Sequence, residues 1–90
     1  MSIRWARSAT KHGVSRIRSR YVIEHANFRF RVPAPDELDD RLLYLGEDEG
    51  GVALEIMAVE LDKGDLFVIH AMPVRRKYRA RYEEARRWQE

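Results

Sequence analysis

Two short acidic segments bearing glycine divide the middle of this chain into apolar runs. Gly46-Glu47-Asp48-Glu49-Gly50-Gly51 separates residues 41–45 from 52–61, and Asp62-Lys63-Gly64-Asp65 separates 52–61 from 66–72. A parallel pairing needs a crossover of about a dozen residues or more, so runs joined this tightly must be antiparallel neighbours. Upstream, Phe28-Arg29-Phe30-Arg31-Val32 alternates with the period of a half-buried strand. Pro33 and Pro35 end it, and residues 36–40 read as loop or one short turn. The expectation is a four-stranded antiparallel meander over 28–32, 41–45, 52–61 and 66–72.

The flanks read as helix. Residues 6–12 suit one or two helical turns stopped by Gly13. Ser15 is a good N-cap for a helix over about 16–26, with Ile17, Tyr21 and Val22 or Ile23 toward the core. Pro73 fits at or just before a final helix running to about Trp88, with Tyr78, Tyr82, Ala85 and Trp88 near one stripe. Ile3 and Trp5 read as short extended or irregular chain. The fold class is therefore α+β: an N-terminal helix or helices, a four-stranded antiparallel sheet and a C-terminal helix, in one domain over residues 1–90.

Ninety residues bury only roughly 60–65% of their unfolded surface, and 44% apolar content suits one modest core. No apolar run approaches the ~18–20 residues of a spanning helix, and 36% of residues are charged, so no membrane span is expected. Residues 1–5 show no apolar signal-peptide segment. The absence of cysteine excludes a disulfide scaffold, a thiolate zinc site and a cysteine nucleophile, and it suits a cytoplasmic protein. The three histidines show no recognisable ligand spacing, so neither a metal nor a cofactor is expected.

Charge is segregated. Residues 1–31 carry a net +7, residues 32–73 a net −9 and residues 74–90 a net +4. If the two basic ends meet in space they form one positive face, the start of a polyanion site. Alternatively, the ends neutralise the middle by surface pairing. Both readings stand on sequence alone.

Alternation sorts the side chains. Keeping charge out of the core puts Phe28, Phe30, Leu54, Ile56, Phe67 and Ile69 under the helices. Arg29, Arg31, Arg41, Glu55 and His70 then share the opposite face, which an antiparallel sheet can leave open. A single bulge would invert a strand's assignment. The same open face would carry Met57, Val59, Leu61, Leu66, Val68 and Met72. That strip is too apolar to leave bare, and it argues for a protein partner or self-association as a homodimer.

Within Val68-Ile69-His70-Ala71-Met72-Pro73-Val74-Arg75-Arg76-Lys77-Tyr78, one histidine interrupts an apolar run that turns at once into positive charge. His70 is either a partly buried histidine bonded to backbone or half of a site completed by Arg75, Arg76, Lys77 and Arg79. The basic run reads equally as a solvated helix face, and Tyr78 as core with its hydroxyl at the rim. In Lys11-His12-Gly13-Val14-Ser15, a helix end and an N-cap explain the last three residues but not Lys11 and His12.

Ile3-Arg4-Trp5, then Lys11-His12-Gly13-Val14-Ser15, a charged helix, a meander, and a last strand running into a basic helix together resemble the BrnT family, RelE-like toxins of type II toxin–antitoxin systems. The resemblance implies a metal-independent endoribonuclease that cleaves mRNA, with or without the ribosome, and inhibits translation. It also implies a cognate antitoxin, of ribbon-helix-helix or similar type. Such chemistry needs a base, an acid and cations beside phosphorus, which histidine and arginine supply. His70 and His12 are then the proton-transfer candidates. Arg75, Arg76 and Lys11 are placed on phosphate, with Tyr78 beside them. Arg29, Arg31, Arg41, Lys77 and Arg79 would follow the RNA backbone. The competing reading is a non-catalytic module of RelE-like fold that holds nucleic acid or a protein through its basic face.

Overall fold

The computed structural model describes residues 1–26, 29–33 and 40–89, with the side chains of residues 88 and 89 excepted. Strand β1 (Ile3–Trp5) leads through a 3-10 turn (Arg7–Thr10) to helix α1 (Arg16–His25). Strands β2 (Arg29–Val32), β3 (Arg41–Glu47), β4 (Ala53–Glu60) and β5 (Leu66–Pro73) follow, and helix α2 (Arg76–Gln89) closes the chain. Phe28, residues 34–39 and the Trp88 side chain, all given places in the sequence reading, lie outside the described residues.

The meander exists as expected, with β2, β3, β4 and β5 successive antiparallel neighbours. A fifth strand was not expected. β1 pairs parallel with β5, so the sheet is mixed and ordered β1-β5-β4-β3-β2. Ile3 and Trp5 alternate for only three residues, too few to register as a strand, yet they cover the edge of β5 that the meander leaves unpaired. The Leu66 amide donates to the Ser2 carbonyl at 2.9 Å and the Ala6 amide to Val68 at 2.8 Å. The first helical segment is only the 3-10 turn, while α1 begins as expected: Gly13 takes φ +82°, and the Ser15 hydroxyl accepts from the Arg18 amide at 3.2 Å.

The second correction concerns the faces. The two helices lie on opposite sides of the sheet, so no face is left wholly open. Val22 and Ile23 of α1 pack with Leu42, Tyr44, Leu54, Ile56, Ala58, Leu66, Val68 and Ala71. On the other side Tyr82 of α2, Val74, Leu43 and Leu45 form a second cluster, with Phe30, Val32, Met57 and Tyr78 at its margin. Leu42-Leu43-Tyr44-Leu45 is an unbroken buried run, the pattern of a strand covered on both faces. Ile17, expected toward the core, is exposed.

A bulge in β5 completes the rearrangement. Met57 pairs with His70 but Ala58 pairs with Val68, which leaves Ile69 as an extra residue. Leu66, Val68 and Ala71 therefore all point toward α1, and His70 and Met72 lie on the α2 side with Phe67. Leu66 and Val68 leave the expected exposed strip and are core residues, whereas Met57, Val59 and Met72 are half-buried and Leu61 is exposed.

Gly46 sits where α1 crosses β3. A Cβ there would lie 3.3 Å from Val22 Cγ1 and 3.7 Å from the Ala26 Cβ. A branched side chain must push the helix off the sheet. Gly46→Val is expected to cost about 1–3 kcal/mol, read as a lowered midpoint in urea denaturation.

Candidate active site

Glu55 lies in β4 on the α2 side and is fully buried. An isolated carboxylate there would be costly, so its partners decide whether it stays charged. The Arg75 backbone N–H donates to Oε1 at 2.7 Å. Oε2 accepts from Arg75 Nε at 2.9 Å and lies 2.8 Å from Nη2. His70 Nε2 sits 2.9 Å from the same oxygen. Burial pushes the Glu55 carboxyl upward, but the side-chain and backbone bonds of Arg75, helped by His70, outweigh it and hold the group below its ordinary range. Glu55 is thus an anion at neutral pH.

That anion sets the chemistry of His70. A carboxylate only accepts, so Nε2 carries a proton and Nδ1 holds the lone pair of the neutral ring. Burial is the main influence lowering the His70 pKa. Glu55 pulls the other way, and the charges of Arg75 and His12 add to the lowering, so the net value lies below that of an ordinary histidine. Arg75 is pushed further up by its bond to Glu55 and stays charged.

His12 reaches the same place from the other side of the sequence. The 3-10 turn is tied to the bulged part of β5, where Ser8 Oγ donates to the Ile69 carbonyl at 3.4 Å. This sets the His12 ring 5.8 Å from that of His70, centroid to centroid, at an interplanar angle of 62°. His12 is exposed, and its ring makes no hydrogen bond among the described residues. Tyr78 is half-buried, with Arg75 Cζ 5.6 Å and Lys77 Nζ 5.0 Å from its ring centroid.

The expected residues therefore divide. His70, His12, Arg75 and Tyr78 gather at the junction of β5 and α2. Lys11 is the exposed neighbour of His12 on one flank, and Arg76, Lys77 and Arg79 are exposed along α2 on the other. Arg41 shares the sheet face of His70, with its Nε buried and without a hydrogen-bond partner among the described residues. Arg29 and Arg31 do not join them. They pair with Tyr44 and Leu42, whose side chains point toward α1, so they occupy the opposite face. The bulge and the two-sided core account for that correction. Glu55 is the central residue that the sequence reading left out of the site. Its signal was present as one acid in the otherwise apolar Ala53-Leu54-Glu55-Ile56-Met57-Ala58-Val59.

An oriented neutral imidazole, a second imidazole and adjacent guanidinium groups can move protons beside a phosphate or another anion. A separate hollow of about 350 Å³ lies among Tyr21, His25, Glu47, Tyr82 and Arg86 and shares no residue with this cluster. There the Tyr82 hydroxyl donates to Glu47 at 2.8 Å, and burial together with that bond pushes its pKa up to about 12. Among the described residues no three His, Asp or Glu side chains gather as a metal site, and no helix is long and apolar enough to cross a membrane. Comparison with protein-family models, curated proteins and solved structures found no match.

Proposed function

We propose that this protein is a metal-independent endoribonuclease of the RelE-like, BrnT-like toxin kind, cutting mRNA and so inhibiting translation. The observation that carries the reading is His70, fixed on buried Glu55 and flanked by Arg75 and His12 at the foot of a basic helix. Metal-independent RNA cleavage uses the 2′-hydroxyl as nucleophile. It requires proton transfer at two oxygens and stabilisation of charge on phosphorus. The cluster contains groups for each task. Arg75 and Arg76 suit the phosphate, with Lys11 on the far flank and Tyr78 beneath. Lys77, Arg79 and Arg41 extend the positive surface. Arg29 and Arg31, on the opposite face, are left out of this track.

The half-buried apolar residues Met57, Val59, Phe67 and Met72 lie on the site's side of the sheet, which supports an antitoxin or a second copy as the protein that covers it. The test is incubation of the purified protein with messenger RNA in excess chelator, followed by analysis of the ends. Fragments with 2′,3′-cyclic phosphate and 5′-hydroxyl termini are expected. Salt-sensitive binding without fragments would leave the non-catalytic module as the reading. Neutralising Arg76, Lys77 and Arg79 together is expected to weaken RNA binding and to flatten the plot of log K against log salt by roughly 2 units, from about 0.7 per single-strand phosphate contact. Filter binding at several salt concentrations measures that slope.

A further inference from the structure

We infer that Glu55, as a positioning residue, makes His70 the base and leaves His12 the acid of the reaction; the inference rests on the RNA-cleaving reading above. His70 Nε2 is committed to Glu55 Oε2 at 2.9 Å and the side chain is 20% exposed, so Nδ1 is the ring nitrogen left for a substrate. In the neutral ring that atom has a lone pair and no proton, so it can take a proton and has none to give. Burial, joined by the charges of Arg75 and His12, outweighs the pull of Glu55 and disfavours a second proton on His70, which keeps it in the accepting form. His12 has neither nitrogen committed to the protein among the described residues, and it is exposed to water, from which a proton can be drawn. With the rings 5.8 Å apart, one phosphodiester can lie within reach of both, each ring bonded to a different oxygen.

The steps balance. His70 Nδ1 takes the 2′-hydroxyl proton as the 2′-oxygen forms a bond to phosphorus. The bond from phosphorus to the 5′-oxygen breaks, and that oxygen leaves with the proton of the His12 imidazolium. The products are a 2′,3′-cyclic phosphate and a 5′-hydroxyl. The protein is left with His70 protonated and His12 neutral, and exchange with solvent restores both.

The test is an RNA oligonucleotide in which sulfur replaces the 5′-bridging oxygen at one scissile position. A thiolate leaves without an acid. On ordinary RNA, His12→Ala and His70→Ala should each slow cleavage by roughly 10²–10⁴-fold. On the sulfur substrate the His12→Ala deficit should shrink to under about tenfold while that of His70→Ala persists. The reverse pattern, or equal shrinkage, overturns the assignment with the RNA-cleaving reading intact. No cleavage of either substrate by the unaltered protein removes the reading itself. Glu55→Gln tests the positioning role separately. Loss of the anion should move the acid limb of the kcat/KM profile to lower pH, because Glu55 favours the protonated form of His70. A lower rate with an unmoved limb would reduce Glu55 to scaffolding. Should that variant not fold, the sulfur substrate decides alone.

Discussion

His70→Ala is expected to lower kcat for RNA cleavage by roughly 10²–10⁴-fold while changing KM less than about threefold, the pattern of a group needed for proton transfer and not for binding. The phosphate-facing cations belong to other residues, and Arg75 retains its backbone and side-chain bonds to Glu55 without the histidine. The binding surface should therefore survive. His70→Gln is the companion variant. The glutamine amide N–H matches the position of Nε2 and can still donate toward Glu55, but glutamine has no titrating nitrogen, so it should be as inactive as alanine and closer to the original protein in stability. Rates come from single-turnover cleavage of a short oligonucleotide, and folding from circular dichroism. A His70→Ala protein within about threefold of full activity would take the histidine out of the chemistry, whatever its contact with Glu55.

How far this site was legible in the sequence depends on which physical rule governed each residue. The connection Asp62-Lys63-Gly64-Asp65 and the Gly13, Ser15 cap act locally, and both formed as expected, with Gly64 at φ +79° and Gly13 at φ +82°. Position across the sheet is not local. Parity along β5 put His70 opposite Phe67 and Ile69, on one face with Arg29 and Arg31. One extra residue at Ile69 turned His70 back to the side of Phe67, because a slip of one residue exchanges the faces of everything beyond it. The unbroken run Leu42-Leu43-Tyr44-Leu45 could have warned that both faces were covered. The expectation of a single covered face rests instead on keeping charge out of the core and on an antiparallel sheet's needing only one cover. The parallel strand β1 was hidden for a different reason. Its partner lies more than sixty residues away, at Leu66, and three residues carry almost no periodic signal. Glu55 stood out as one acid in an apolar run, but its meaning depended on His70 arriving from the next strand and Arg75 from the connection that follows it. The composition of the β5–α2 junction pointed to the right place, while the contact that organises it is tertiary.

Glu55→Ala is expected to destabilise the fold by about 3 kcal/mol, measured by urea denaturation at neutral pH. Removing one partner of a buried charged pair typically costs about 3–5 kcal/mol. The lower end applies because the Arg75 side chain is 38% exposed and keeps some of its water. The pH dependence should bear the mark of both titrating partners. His70 has a depressed pKa in the folded state, so the unfolded chain takes its proton first and stability begins to fall as pH drops below about 6.5. Glu55 is also held low. Its contribution is complete above the ordinary carboxylate pKa of about 4.3 and is lost as pH falls through the folded value. The original protein should therefore lose stability in two stages between pH 7 and strong acid. His70→Ala should lack the first stage and Glu55→Ala the Glu55 share of the second. Asp48, kept low by the Val52 amide and by Arg18, titrates on the same acid limb, so the difference between variants reports Glu55 and the total decline does not. Equal stability of Glu55→Ala and the original protein at pH 7.5, with parallel curves down to pH 4, would mean that the buried carboxylate neither anchors Arg75 nor holds His70.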